Sequence, residues 1–385
     1  MLLFTLPSFT ILLCLFPSKR LSQIKAFFAM LSIGSGQIHL AVLAFFVFLI
    51  TENNFKFPRY HPKAPAFLAG VFFLYIVLMS FRDQIDARIA SELLQLVVYL
   101  IFFFLVLHHI LEPKKLKILL WAMYYSSLVL AITGLTNYGF GLKVPPHIFI
   151  ARGGNETATF LALMGILPAT YFLVKERNIS MIIGIAVIIL SIYISTSRSN
   201  LLIVAMMLLL TFAFLFKNLF LRAIILVTMV GLAIYQVNEL FGIYERELNF
   251  SALERIRLGE FAWQLYFEKF WFGWGWGATW SLASLVSYSE YPHFHNTYLQ
   301  LLVELGTIGW IPIVGFLLFF VTKIFHGFRS LLQRDVMLFV INAFIGLTVS
   351  GMFEAMLFGA DRALQVVIIL ALVARTQQMN VLSKL

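Results

Sequence analysis

The sequence from Tyr291 to Trp310 reads YPHFHNTYLQLLVELGTIGW, and here a long polar segment meets the start of a long apolar run. His293 and His295 close the polar segment, and the apolar run begins directly after Asn296. If the polar segment lies outside a membrane, His295 lies at the mouth of the helix that follows. A histidine in that position can accept or donate a proton near neutral pH.

The composition of the chain is that of a membrane protein. Of 385 residues, 61% are hydrophobic and only 12% are charged, which is unlike a soluble domain. The first apolar run has no charged leader and no A-x-A-like cleavage site, so residues 1–16 are expected to form a retained span. The single cysteine, Cys14, excludes an internal disulfide and a cysteine-based metal cluster.

Hydropathy predicts an all-α polytopic membrane protein with about twelve spans. The apolar runs fall at 2–17, 26–50, 65–81, 92–111, 116–139, 157–174, 179–196, 200–216, 220–240, 297–322, 336–358 and 363–376. We expect one membrane domain over residues 1–385, with one larger outer loop at 241–296 that contains short helices. An even number of spans places both termini on the same side.

The distribution of lysine and arginine predicts that this side is cytoplasmic. The loops on the side of the termini carry more cations than the opposite short loops, which is the positive-inside pattern. The first loop, with Lys19, Arg20 and Lys25, is the exception, so one of the first two segments is a candidate for a re-entrant helix. The net charge of +10 does not indicate nucleic acid binding, because the cations are dispersed; membrane topology and anionic lipid-linked substrates explain it better.

Two arginines on the predicted outer side lie at the ends of apolar runs. Arg198 lies between two spans in Ser-Thr-Ser-Arg-Ser-Asn (195–200), where a guanidinium either snorkels to headgroups or binds phosphate oxygens. Arg152 precedes Gly-Gly-Asn155 at the start of another span. Asn155 there is a candidate helix cap, and Arg152 a candidate substrate contact.

The outer loop adds arginines, aromatic residues and histidines. In a helix, Arg255 and Arg257 point about 200° apart, so only one faces a given site, and we favour Arg255. The aromatic and glycine-rich run at 270–277 is either an interfacial belt or a platform for a sugar ring. His293 and His295 lack the further ligands that a zinc site needs, so no metal is expected.

Acidic residues within the last apolar runs form a separate group. Glu304 lies inside a predicted span and is either functional or paired in the protein interior. Asp361 and Arg362 are expected to form a pair at the membrane boundary. The outer loop contains no pair of carboxylates spaced as in a hydrolase.

This combination suits a lipid-linked substrate whose leaving group is a phosphate. Arginines would offset the charge that develops on the departing group, and a histidine would deprotonate the attacking hydroxyl. The chemistry indicated is glycosyl transfer without a metal.

The stretch from His295 to Gly309, HNTYLQLLVELGTIG, resembles the signature of the O-antigen ligase and polymerase superfamily. Three other stretches are similar: Ser-Arg-Ser at 197–199, Arg255 upstream of Phe-Gly-Trp-Gly at 272–275, and Arg152 with Asn155 before a span. The resemblance is most specific between about residues 150 and 310, as judged from these motifs.

The resemblance implies a GT-C-like glycosyltransferase of the bacterial inner membrane, with no cofactor and inversion at the anomeric centre. The donor would be a glycan on undecaprenyl pyrophosphate at the periplasmic face. The family's catalytic histidine falls on His295, its span-end arginine on Arg198 and its loop arginine on Arg255. Many members have a tryptophan where this chain has Gly259, so Arg257 stays an alternative to Arg255. Asn296, His293, Glu304 and Asn155 are candidate supporting residues.

Several functions share these motifs. A ligase transfers the glycan to lipid A-core, whereas a polymerase joins one lipid-linked repeat to another; the compact outer loop favours a ligase. A protein O-oligosaccharyltransferase is a third reading within the superfamily. A transporter of lipid-linked glycan is the alternative from another class, and it is disfavoured because the chain lacks an internal repeat. A membrane scaffold would leave Arg198 unexplained.

Overall fold

The computed structural model of the chain describes residues 2–15, 21–34, 38–52, 63–80, 87–110, 112–139, 154–176, 179–195, 197–215, 220, 224, 227–228, 231, 250–283, 285, 294–329, 334–353, 356 and 360–375. The regular elements within these ranges are all helical. They are α1 (Leu2–Leu15), α2 (Ser22–Gly34), α3 (Ile38–Glu52), α4 (Lys63–Ser80), α5 (Ala87–His109), α6 (Pro113–Gly139), α7 (Gly154–Phe160), a π-helical segment (Leu161–Ile166), α8 (Leu167–Glu176), α9 (Ile179–Ile194), α10 (Arg198–Leu215), α11 (Phe250–Glu268), α12 (Thr279–Ala283), α13 (Thr297–Arg329), α14 (Arg334–Phe353) and α15 (Ala360–Ala374).

Five of the described helices are long and apolar enough to cross a membrane, by length and composition. They are Lys114–Thr136, Glu156–Glu176, Arg198–Leu215, Thr297–Phe319 and Asp335–Phe353, and shorter apolar helices accompany them. Large apolar side chains such as Phe67, Ile183 and Ile311 lie on the outer surface of the bundle, where lipid accommodates them. The chain is a multi-pass helical membrane protein, as the sequence predicts.

The apolar run at 26–50 forms two helices, so the prediction of one span there is wrong. The first residues of α2 lie beside the last residue of α3: Ser22 Oγ donates to Glu52 Oε2 at 2.6 Å, and Lys25 Nζ lies 3.5 Å from Glu52 Oε1. The two helices therefore form an antiparallel hairpin. The sequence between them contains Ser35 and Gly36, and serine and glycine are weak helix formers.

The hairpin also corrects the expected position of Lys25. Lys115 Nζ donates to the backbone carbonyl of Glu52 at 3.0 Å, so Lys25 and Lys115 lie at the same end of the bundle and not on opposite sides. Lys117 Nζ lies 3.5 Å from Glu176 Oε1 at the end of α8. We call this end, with Lys25, Lys114, Lys115 and Lys117, the basic end.

Helix α1 runs antiparallel to α2. Thr10 of α1 lies within hydrogen-bonding distance of Ser32 Oγ, at 3.1 Å, and α1 ends only a few residues before α2 begins. The first residues of α1 thus point away from the basic end. The expectation that both termini are cytoplasmic stays a prediction, because the last residues of the chain lie outside the described ranges.

A buried polar network joins three helices in the middle of the bundle. Asn342 of α14 donates from Nδ2 to Thr170 Oγ1 of α8 and to Thr211 Oγ1 of α10, each at 3.2 Å. All three side chains are fully buried. Such bonds contribute to helix association where lipid offers no hydrophobic driving force.

Candidate active site

Helix α13 is interrupted at Gly306, whose backbone has φ 62° and ψ −170°. At the interruption, backbone amides and carbonyls of α13 form hydrogen bonds with the aromatic segment, which we define as residues 270–277. The amide of Trp274 donates to the carbonyl of Val303 at 2.8 Å, and the amide of Thr307 donates to the carbonyl of Phe270 at 2.9 Å. The aromatic segment is therefore bonded to both sides of the break.

Two glycines allow this close approach. Gly273 and Gly306 both have positive φ, of 66° and 62°, a region that L side chains rarely adopt. A Cβ atom at Gly306 would lie 2.6 Å from the carbonyl oxygen of Trp271, and one at Gly273 would overlap the backbone carbonyl of Glu304. The backbones meet without room for a side chain at either position.

Glu304 lies two residues before the break and is fully buried. Its Oε2 accepts a hydrogen bond from the amide of Gly277 at 3.1 Å, and its Oε1 accepts one from the amide of Thr279 at 3.3 Å. Gln300 Nε2 also donates to Oε1, at 3.3 Å. A carboxylate can remain in the interior only when hydrogen bonds replace its hydration, so Glu304 holds the end of the aromatic segment in place.

His295 lies just before α13 and is partly exposed. Its φ of 51° is the only positive value at a non-glycine residue in the described part of the chain. Asn296 caps the helix, because its Oδ1 accepts hydrogen bonds from the amides of Tyr298 and Leu299 at 3.0 and 3.1 Å. Cap and backbone together set the direction in which the chain enters the helix at this histidine.

Helix α11 carries Arg255 and Arg257 next to this segment. Leu258 of α11 belongs to the same buried cluster as Phe294, the residue before His295. Arg255 is partly buried and Arg257 is exposed. Arg255 Nε is buried and has no hydrogen-bond partner among the described residues.

Arg198 begins α10 at the same end of the bundle as His295. Asn200 Nδ2 donates to Thr159 Oγ1 at 3.1 Å, which ties the start of α10 to α7. The amide of Met356 donates to Thr297 Oγ1 at 2.7 Å, which ties the approach to α15 to the start of α13.

The starts of α7 and α15 are joined in turn by Arg362 and Glu156, at 3.3 Å. We call the end of the bundle that carries Glu156, Arg198, His295 and Arg362 the site end. It lies opposite the basic end, because α7 and α8 form one helical span whose far end, Glu176, lies beside Lys117. Arg198 is exposed and has no ion pair in the ranges that the structure describes.

Residues 183–314 match the O-antigen ligase family. The match runs from α9 into α13 and contains Arg198, Arg255, Arg257 and His295, so the resemblance predicted from the sequence is confirmed over this part. It covers about a third of the chain. A search of curated proteins found no match.

An apolar cavity of about 230 Å³ adjoins the region that matches the O-antigen ligase family, at the start of α13. Thr297, Tyr298 and Trp276 line it from that region, and side chains of α4, α5, α14 and α15 complete its wall. Tyr298 is held by a hydrogen bond from its hydroxyl to the carbonyl of Thr348 at 3.1 Å. The cavity is therefore lined by Thr297, which is two positions after His295 in the sequence, and it extends among apolar helices.

The ion pair of Glu156 and Arg362 is the part of the site end that the sequence analysis missed. Arg362 was expected to pair with its neighbour Asp361, whose side chain lies outside the described residues. A usable signal existed: each residue is a charge at the start of an apolar run on the same predicted side. Opposite charges at one membrane boundary tend to pair, because unpaired charges there are costly.

Some predicted site residues lie outside what the structure describes. Arg152 and His293 are among them, and so is the side chain of Asn155. Among the described residues, no group of three or more His, Cys, Asp or Glu side chains is arranged to hold a metal. The metal-independent reaction expected for the O-antigen ligase family stays a prediction.

Proposed function

We propose that the chain is an O-antigen ligase, a membrane glycosyltransferase. It moves a glycan from undecaprenyl pyrophosphate to a hydroxyl of lipid A-core at the periplasmic face of the bacterial inner membrane. The site end is then periplasmic and the basic end cytoplasmic, in agreement with the positive-inside rule. The fold is GT-C-like with about twelve spans, and residues 241–296 form the outer loop of a single membrane domain.

The observation that carries this proposal is the composition of the site end. It combines His295 with Arg198, which has no ion pair among the described residues, and with a helix that presents Arg255 and Arg257. An apolar cavity begins beside it. A pyrophosphate joined to a hydrocarbon chain needs both cations and an apolar surface.

In the proposed reaction, His295 accepts the proton of the acceptor hydroxyl. The hydroxyl oxygen attacks the anomeric carbon of the donor sugar from the face opposite the pyrophosphate, which inverts that centre. The bond between this carbon and the pyrophosphate oxygen breaks, and the electron pair leaves with undecaprenyl pyrophosphate. Arg198 and Arg255 stabilise the negative charge on that oxygen through fixed guanidinium groups.

The supporting residues act through position. Asn296 caps α13 and so sets the approach to His295, and Glu304 holds the aromatic segment. Arg255 is preferred to Arg257 because it is on the face of α11 that carries Leu258 and Ala262, which belong to the cluster of Phe294. Arg152, Arg257, His293 and Asn155 remain candidates for substrate contact.

Two other functions make different predictions. A polymerase of the same superfamily would join lipid-linked repeats to one another and would need no lipid A-core. A transporter of lipid-linked glycan would move its substrate across the membrane without changing its covalent structure. The matched family is described as O-antigen ligase, which favours a ligase over the polymerase and the transporter.

The test is incubation of the purified protein with undecaprenyl-pyrophosphate glycan, with and without lipid A-core, followed by measurement of product size. Ligation requires lipid A-core, and lengthening of the lipid-linked glycan without it would indicate a polymerase instead. His295→Ala should abolish transfer while the protein still elutes as a folded species, and Lys63→Gln is the control. Full activity of His295→Ala would exclude this histidine as the base, and loss of activity in EDTA would contradict a metal-independent reaction.

A further inference from the structure

A second cavity, of about 490 Å³, lies at the basic end, far from the candidate active site. It is formed between two helices. Lys114, Lys117, Trp121 and Tyr125 contribute from α6, and Gln23 and Phe27 are among the other lining residues. The spacings of three and four residues along α6 place its four side chains on one helix face.

The mouth of this cavity is cationic. Lys114 and Lys117 are both exposed, and Lys114 has no ion pair in the described part of the chain. Lys117 lies 3.5 Å from Glu176, which fixes its position but leaves nearly half of its side chain exposed, at 46%. Neighbouring Lys115 points away and pairs with Glu112 at 3.1 Å. One positive charge at the mouth is therefore uncompensated by the described residues.

The part of the cavity that lies further along α6 is aromatic and apolar. Trp121 stacks on Tyr125, with ring centroids 5.2 Å apart and planes at 18°, and Ile118 and Phe27 complete this part. Along α6, Tyr125 lies about 12 Å from Lys117. The lining of the cavity thus changes from cationic to apolar along α6, as a phospholipid changes from its anionic headgroup to its acyl chains.

We propose that this cavity binds an anionic glycerophospholipid, with its phosphate at Lys114 and Lys117 and its acyl chains along Trp121 and Tyr125. Basic clefts between membrane helices suit such headgroups, because each lysine near the surface attracts the anion while the adjoining apolar wall accepts the chains. Gln23 provides a hydrogen-bonding group at the α2 side. A free phosphate ion shares the headgroup chemistry but has no use for the aromatic wall.

The experiment is native mass spectrometry of the full-length purified protein in detergent. Phosphatidylglycerol, phosphatidylcholine and inorganic phosphate are added in separate arms. The wild-type protein should retain one phosphatidylglycerol in preference to phosphatidylcholine. Lys114→Gln should weaken this binding about fivefold and Lys114→Gln with Lys117→Gln roughly 30-fold. Lys269→Gln removes one charge outside the cavity, because its ammonium lies over the Trp274 ring, and it should leave the binding unchanged.

Two further arms separate lipid from phosphate and binding from folding. Tyr125→Leu removes part of the aromatic wall and should weaken phosphatidylglycerol binding without affecting the lysines. Equal retention of the two lipids, unchanged binding in the double variant, or displacement of the lipid by inorganic phosphate at equal concentration would overturn the proposal. If the double variant melts at a lower temperature than the wild type, the test rests on lipid binding by the single variant Lys114→Gln. The Lys114 side chain makes no ion pair in the described structure, so its loss should not disturb the fold.

Discussion

The Oε2 atom of Glu304 lies 3.1 Å from the amide nitrogen of Gly277, so a carboxylate inside one membrane helix holds the end of the aromatic segment. Its second oxygen accepts from Thr279 at 3.3 Å. The same segment bonds to the main chain on both sides of the break at Gly306. The geometry near His295 therefore depends on contacts that are more than twenty residues apart in the chain.

Removal of the Glu304 carboxylate should destabilise the protein. Glu304→Ala leaves two buried amides without an acceptor, and a cost on the order of 3 kcal/mol follows from their lost bonds. Glu304→Gln keeps one acceptor oxygen and should lose less. The measurement is the thermal midpoint in detergent, with Glu260→Ala on the exposed face of α11 as the control. A thermal midpoint of Glu304→Ala equal to that of the wild type would contradict the assigned role.

Gly306→Ala should be more harmful than an ordinary glycine replacement. The backbone at Gly306 adopts a region that is essentially restricted to glycine, where another residue costs of order 1–3 kcal/mol. The added Cβ would also press on the carbonyl of Trp271. The matched control is Gly259→Ala in α11, where a Cβ would meet nothing within 4 Å and helix propensity favours alanine by about 1 kcal/mol. Chemical denaturation of both variants measures the contrast, and equal stabilities would refute the need for glycine.

Arg255→Ala should reduce glycan transfer more than Arg257→Ala. Arg255 is partly buried on the side of α11 that packs toward Phe294, whereas Arg257 is exposed. We expect a loss of at least about 100-fold, since a fixed donor to a developing anion is worth that much or more. Arg255→Lys should restore only part of the rate, because lysine lacks the planar fork of donors. The reverse order of the two alanine variants in the transfer assay would assign the contact to Arg257.

The two ends of the bundle should be accessible from opposite sides of the membrane. In a Cys14→Ala background, cysteine introduced at Arg257 should react with an impermeant maleimide added to intact spheroplasts. Cysteine introduced at Lys114 should react only after the membrane is permeabilised. Native Cys14 is buried, so its removal guards against background labelling. Reaction of both positions from the same side would overturn the proposed topology.

Local sequence properties were sufficient for the helical membrane class and for the region of family resemblance. Apolar runs near Lys114, Arg198 and Thr297 are long enough to cross a bilayer, and the described helices at these positions agree. Hydropathy predicted one span at 26–50 where the structure has two helices. The average over the run hides the few weak helix formers between them. Hydropathy also did not find the break at Gly306, since glycine and its neighbours continue an apolar pattern.

The roles of single charges required the tertiary structure. Glu304 reads in sequence as an isolated carboxylate in a span, and its donors, Gly277 and Thr279, lie in a distant segment. Arg362 and Glu156 are both charges at the start of an apolar run, but the sequence does not show that these two residues, 206 positions apart, are in contact. Arg255 and Arg257 differ by two positions, and only the packing of α11 distinguishes them.

By itself, the sequence determined that this chain is a polytopic helical membrane protein, part of which, residues 183–314, is similar to the O-antigen ligase family. This was possible because transfer into lipid depends on the composition of each segment, and short motifs are contiguous. The tertiary structure alone decided which helix ends meet, which amides donate hydrogen bonds to Glu304 and where the basic cavity lies. These features arise from contacts between distant segments, and such contacts depend on packing geometry that local composition does not encode.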